Sequence, residues 1–131
     1  MTSDVLPIST SDDVVRVRQQ VRVRAIEAGL SLVDQTKIIT AASELARNTL
    51  DYGGGGEVTI EPVQNGGRRG VRLTFADHGP GIEDIDQALT DGFTTGGGLG
   101  LGLSGARRLC NEFSIHSVVG EGTRIVIARW K

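Results

Sequence analysis

Only one cysteine, Cys110, occurs in the 131 residues, so no disulfide framework can form within the chain. Its position beside Leu109 in an expected helix reads as packing rather than as a nucleophile or metal ligand. No apolar run approaches membrane-spanning length. The start, Met1-Thr2-Ser3-Asp4, lacks the basic region and apolar stretch of a secretory leader, and a cytoplasmic protein without a membrane partner is expected. Aromatic residues make up 4% of the chain, the formal net charge is −2, and no basic run is interleaved with aromatics. These features argue against nucleic acid as a partner. No lysine lies between Lys37 and Lys131, which removes the Gly-Lys-Ser/Thr core of a P-loop.

What the chain has in quantity is glycine, 19 residues in all, and the densest stretch runs from Gly96 to Gly105. A flexible linker would be rich in Gly and Ser without leucine at alternate positions. Here Leu99, Leu101 and Leu103 interleave Gly98, Gly100 and Gly102, so the side chains can pack while the backbone stays open. A helical pattern, Ala106 to Glu112, follows directly. Backbone without Cβ atoms leading into the free N–H groups of a helix start suits phosphate. The G-x-G-x-x-G spacing of Gly100 to Gly105 follows Asp91-Gly92-Phe93-Thr94-Thr95 rather than a strand, which argues against a dinucleotide fold.

With 38% hydrophobic and 23% charged residues, the chain suits one domain, residues 1–131, with a single core. Val5 to Ile8 reads as a strand, and Ser9 to Asp13 offers helix caps. A helix over Val14–Ala28 should bury Val14, Val17, Val21 and Ile26, expose Arg16, Arg18, Arg22 and Arg24, and stop at Gly29. Ser31 or Asp34 can cap a second helix that runs to about Tyr52 with Ile38, Ala42, Leu45 and Thr49 as its core stripe. Strands Glu57–Val63 and Val71–Phe75 flank the hairpin signal Asn65-Gly66-Gly67. A short helix near Ile82–Thr90, the glycine run with its helix, a strand Ser114–Val119, a turn at Gly120-Glu121-Gly122 and a strand Arg124–Trp130 complete the pattern. This order predicts an α+β two-layer sandwich, a mixed, mostly antiparallel sheet with helices on one face.

Two sets of residues carry candidate chemistry. Glu44 and Asn48 are four apart on the second helix and share a face about 100° from the Ile38–Leu45 stripe, bordering the core without pointing into it. A solvated polar pair would look the same, although asparagine is a poor helix former in mid-helix. Strand Val71–Phe75 ends in Asp77-His78-Gly79-Pro80-Gly81. A carboxylate at that exit can accept a hydrogen bond from an exocyclic amine, while Asp, Gly and Pro also make ordinary turns.

Taken in order, Glu44-Leu45-Ala46-Arg47-Asn48, then Asp77-x-Gly79-x-Gly81, then the run ending Gly100-Leu101-Gly102-Leu103, and last Gly120-Glu121-Gly122-Thr123 resemble the N, G1, G2 and G3 boxes of the GHKL superfamily with its Bergerat ATP-binding fold. Ala41 to Asn48, Asp91 to Gly100 and Arg107 to Phe113 further resemble the RsbT-type switch kinases of the anti-sigma-kinase group. The resemblance implies ATP and Mg²⁺ as cofactors, with Asn48 helping to hold the metal and Glu44 orienting or deprotonating the attacking hydroxyl. It implies that Asp77 accepts the adenine amine beside Thr123, that Gly79 and Gly81 shape the pocket floor, and that Gly98, Leu99, Gly100, Leu101 and Gly102 lie against the phosphates. The segment from Ile82 to Thr95, an ATP lid in the superfamily, is short here.

The same resemblance implies a serine/threonine protein kinase whose partner is a STAS-domain antagonist, with a downstream phosphatase or a sigma factor as a second target. An anti-sigma factor or nucleotide-dependent adaptor is the alternative. His78, in a glycine-flanked turn, and His116, on a strand, are not placed like the phospho-accepting histidine of a sensor kinase.

Overall fold

The computed structural model describes residues 3–89 and 102–131. Strand β1 (Asp4–Ile8) leads into helix α1 (Ser11–Glu27), whose N-terminus is closed by a reciprocal cap. Thr10 Oγ1 accepts from the Asp13 N–H at 3.3 Å while Asp13 Oδ2 accepts from the Thr10 N–H at 3.1 Å, so two of the helix's orphan donors are satisfied together. Val14, Val17 and Val21 are buried as expected. Ile26 is 55% exposed and Ala25 takes the core place instead, because a helix of 3.6 residues per turn carries the stripe from Val21 to Ala25. Arg24 also departs from the expected solvated face. Its guanidinium is half-buried and holds Asp4 of β1 at 2.7 Å, tying α1 to the sheet edge.

Helix α2 (Leu32–Asp51) is capped by Ser31, whose Oγ accepts from the Asp34 N–H at 3.1 Å. Its stripe of Ile38, Ala42, Leu45 and Thr49 is buried. Strands β2 (Gly56–Asn65) and β3 (Arg68–Asp77) form the expected hairpin. The turn residues Gly66 and Gly67 have φ of +58° and +85°, the positive values that a two-residue hairpin loop demands at both places.

Helix α3 (Ile85–Ala88), helix α4 (Gly102–Arg108), strand β4 (Glu112–Val118) and strand β5 (Gly122–Trp130) follow. Helix α4 starts four residues before the expected Ala106 and ends before Cys110, which lies in the link to β4. The strand claims Glu112 because Glu112 pairs with Ala128 and Asn111 already donates its N–H to Ala128 O at 2.9 Å.

The sheet order is β1-β2-β3-β5-β4, and each pairing is antiparallel among the described residues. The mixed sheet expected from the sequence is therefore antiparallel throughout the described part, since β5 returns beside β3 after β4 has been laid at the edge. One face presents Val58, Ile60, Val71, Leu73, Phe75, Ile125 and Ile127 to the two long helices, all buried. Burying such side chains gives the domain its main stabilisation, about 1.5–3 kcal/mol each. Strand alternation continues the inward series Val71, Leu73, Phe75 to Asp77, so the carboxylate emerges on the helix side of the sheet.

Among the described residues no helix is long and apolar enough to cross a membrane.

Candidate active site

The site is built where the C-terminus of α2 meets the ends of β3 and β5. Helix α2 ends because Tyr52 and Gly53 both donate their N–H groups to Asn48 O, at 2.9 and 3.3 Å, and Gly55 donates to Thr49 O at 3.0 Å. The chain then folds back over β3. Gly53 lies so close to Asp77 that an added Cβ would come within 2.5 Å of Asp77 Cγ.

Two backbone donors hold the Asp77 carboxylate. Its Oδ1 accepts from the Gly79 N–H at 2.9 Å and from the Thr123 N–H at 3.2 Å. The first bond closes a tight turn after β3 and the second joins β5 to it. Oδ2 makes no hydrogen bond among the described residues. The carboxylate therefore keeps an acceptor in a fixed direction.

The Asp-x-Gly-x-Gly glycines are needed, for reasons the sequence did not disclose. A Cβ on Gly79 would lie 2.8 Å from Gly53 Cα, and one on Gly81, whose φ is +79°, would lie 2.5 Å from Val118 O. At these two points neighbouring backbone occupies the place a side chain would need. Gly122, with φ +134°, likewise packs against the Asp77 and His78 backbone. Gly53 and Gly122 thus set the position of Asp77; the sequence placed Gly122 in the last of the four boxes without a role of its own and read Gly53 only as a helix stop. Each carried a signal, since each lies in a glycine cluster, but those clusters also read as a helix stop and a turn.

Thr123 faces Ser117 across the β4–β5 pair, and their hydroxyl oxygens lie 2.8 Å apart. Ser117 Oγ also accepts from the Ile82 N–H at 2.8 Å, so the segment that leaves the site toward α3 is pinned to the sheet.

Glu44 departs from the expectation that it borders the core, being only 5% exposed. Asn48, one turn later, is half-buried. Glu44 lines a concavity between α1 and α2 with Arg18, Ile39, Thr40 and Ser43. Because α2 rises 1.5 Å per residue, Glu44 lies about 13 Å back along the helix from Gly53 and about 6 Å from Asn48. The structure thus gathers Asp77, Gly79, Gly81 and Thr123 at one end, with Asn48 and Glu44 at successive steps away from it. Gly102 opens α4 with φ +58°. Gly98, Leu99, Gly100 and Leu101 lie outside the described residues.

Among the described residues no three His, Cys, Asp or Glu side chains cluster as metal ligands. Mg²⁺ is ordinarily held by one or two protein oxygens together with phosphates and water, and the Asn48 carboxamide is an oxygen donor of that kind. Asp77 Oδ2 supplies an acceptor for an amine.

Residues 33–131 match the family described as histidine kinase-, DNA gyrase B-, and HSP90-like ATPase. The chain is 50% identical to the serine/threonine-protein kinase RsbT of Bacillus subtilis over 123 residues, 94% of this chain and 92% of that protein. It is 34% identical to the anti-sigma F factor of Anoxybacillus flavithermus over 106 residues, covering 76% of this chain and 71% of the relative. A solved Mycobacterium tuberculosis protein comprising RsbU and RsbW domains superposes with a TM-score of 0.69 at 22% identity, covering 98% of this chain and 32% of that one. That last likeness concerns the fold.

Proposed function

This chain belongs to the histidine kinase-, DNA gyrase B-, and HSP90-like ATPase family, in the group of the RsbT kinases, and from that premise we propose that it is an ATP-dependent serine/threonine protein kinase acting on a STAS-domain antagonist. The observation that carries this reading is the Asp77 carboxylate, clamped through Oδ1 by two backbone N–H groups and left with Oδ2 to accept from an exocyclic amine. Adenine carries such an amine and guanine presents an oxygen at that place. Asn48 and Glu44, farther back on the helix that ends beside Asp77, would serve the triphosphate.

Phosphoryl transfer asks chiefly for positioning and for charge stabilisation. Bound Mg²⁺, held by Asn48 and the phosphates, supplies neutralisation of phosphate charge. The glycine run that ends in Gly98, Leu99, Gly100, Leu101 and Gly102 would supply backbone N–H groups to the phosphates. Glu44 is the catalytic base that takes the proton of the acceptor hydroxyl. It is buried and lines a concavity with Arg18, Ile39, Thr40 and Ser43, which shields it from bulk water.

The added phosphate brings about −1.5 to −2 charges to the partner's surface, enough to repel a carboxylate-bearing or apolar interface. Phosphorylation of the antagonist thereby frees the kinase for a second target, a phosphatase or a sigma factor. The identity to an anti-sigma F factor favours a second reading, in which ATP sets the shape of a sequestering adaptor and little phosphate moves.

Incubation with labelled ATP and a purified STAS-domain antagonist separates the two. Label on a serine or threonine of the antagonist, lost in Glu44→Ala, is the result expected of a kinase. An unlabelled antagonist that Glu44→Ala still binds in an ATP-dependent way would establish the adaptor.

A further inference from the structure

We propose that the outer face of the α1–α2 layer is a docking groove for an acidic, amphipathic helix of a protein partner. The partner's apolar stripe seats at the elbow between the two helices and its carboxylates meet Arg18 and Arg22. The inference does not depend on the kinase reading.

Helix α1 carries a second stripe besides the one its core position requires. Val14, Val17, Val21 and Ala25 form the buried stripe. Val15, Arg18, Arg22 and Ile26 recur three and four residues apart, about 100° round the helix, with Val15 47% and Ile26 55% exposed. A lone exposed valine is ordinary on a protein surface. Here the apolar surface continues across the link 28–31 to Leu32 and Val33, which open α2 and are 76% and 62% exposed. Val23, one turn before Ile26, is exposed as well. Ser31 already supplies the helix cap, so nothing in the start of α2 calls for bare leucine and valine. Apolar side chains gathered in this way mark a surface that another molecule covers.

Helix α2 returns alongside α1, since Arg47 Nη1 donates to Ser11 Oγ at 3.3 Å. Between them lies the concavity lined by Arg18, Ile39, Thr40, Ser43 and Glu44, so the face is grooved. Its available charges are of one sign. Arg18 and Arg22 are exposed and make no ion pair among the described residues. The carboxylates nearby are engaged, Asp13 with Arg16, Glu27 with Arg24 and Asp34 with Arg129, and Glu44 is buried. Asp12 stands apart in the first turn of α1. In a chain of net charge −2, two unpaired guanidiniums beside an apolar rim are complementary to a partner's carboxylates.

The stripe from Val15 to Ile26 is about 16 Å long, three turns of a helix, and an apolar face laid into such a groove is a common mode of peptide recognition. A second copy of this chain fits poorly, because a two-fold contact sets the arginines of one face against those of the other. A membrane surface fits poorly too, because a flat layer does not enter a groove and no aromatic side chain stands at the elbow. Helix α2 is about 30 Å long, so a helix docked at its start leaves the Asp77 end open.

The test is an NMR titration of the isotope-labelled whole chain with two synthetic peptides of about 18 residues. Both carry a leucine stripe at spacings of three and four, flanked by glutamates in one and by lysines in the other. The glutamate peptide should shift the amide resonances of α1 from Val15 to Ile26 and of α2 from Leu32 to Thr40, with an affinity that falls as salt is added. The lysine peptide should bind at least about tenfold more weakly. Ile26→Asp and Val33→Asp should each lower the affinity for the glutamate peptide by about tenfold, while keeping the wild-type thermal midpoint and Mg·ATP affinity. Arg18→Glu combined with Arg22→Glu should reverse the preference between the peptides. Equal affinity for the two peptides, shifts that cluster elsewhere, or no saturable binding overturns the inference. Sedimentation with phosphatidylserine vesicles that the glutamate peptide fails to displace assigns the face to lipid and overturns it as well.

Discussion

Gly53 lies flat against Asp77, with no room for a methyl group between its Cα and the carboxylate carbon. The turn that ends α2 therefore sets the side-chain conformation of an aspartate 24 residues later, on the third strand. Its backbone lies outside the left-handed region, so alanine brings no φ strain and acts by collision alone. Gly53→Ala should weaken ATP binding by about tenfold or more while shifting the thermal midpoint far less than a core truncation does. Titration with Mg·ATP checks this, and wild-type affinity in the variant would show that Asp77 does not need its present position.

Arg129 joins the far end of β5 to the start of α2. Its guanidinium meets Asp34 Oδ1 at 2.7 Å and donates to Leu109 O at 3.2 Å, with both charged side chains largely covered. The Arg129 hydrogen bond holds the Asp34 carboxyl below its ordinary range, against an opposing effect of burial. Asp34→Asn leaves the guanidinium without its charged partner and should cost about 2 kcal/mol at neutral pH. Urea unfolding measures the loss. Nucleotide affinity should stay unchanged, because the pair sits at the other end of α2 from Asp77.

Acid should weaken the fold in a defined window. The Ser9 backbone N–H, opposed by burial and assisted by the Ser9 hydroxyl, the Thr10 N–H and Arg16, lowers the Asp13 carboxyl from 3.8 to about 2. A carboxyl lowered in the folded state contributes stability that is present above the unfolded value and lost as pH falls through the folded one. The urea midpoint should therefore hold down to about pH 4 and drop between pH 4 and 2. Asp4 and Asp34, also lowered, add to the drop. Asp13→Asn should flatten that part of the curve.

Burial raises the Cys110 thiol to about 12, against a smaller lowering by Arg129. The thiolate is the reactive form, so at pH 8 native protein should resist iodoacetamide and unfolded protein should react fully. Rapid alkylation of the native state would place Cys110 in solvent.

What was legible in the sequence was mostly local. The Ser31 cap, the stop at Gly29 and the Asn65-Gly66-Gly67 hairpin depend on neighbouring residues, and the structure has them where the chemistry requires. The α2 stripe was equally readable from its period. Ile26 was misplaced because Ala25 is small and its burial emerges only when α1 packs on α2. The position of β5 between β3 and β4 and the burial of Glu44 depend on elements far apart in sequence. So do the close approaches of Gly53 and Gly122 to Asp77. Of the candidate site, the motif residues themselves were visible; the Asp77 clamp was hidden because its donor Thr123 comes 46 residues later.

The account depends above all on Asp77 as the acceptor for the adenine amine. Calorimetric titration of wild-type protein and Asp77→Asn with Mg·ATP tests it directly. A carboxamide at this site can still occupy the clamp but loses the charged acceptor, so wild-type protein should bind and the variant should lose about two orders of magnitude in affinity with its thermal midpoint nearly kept. Equal binding by the two proteins, or no binding by the wild type, would contradict the account.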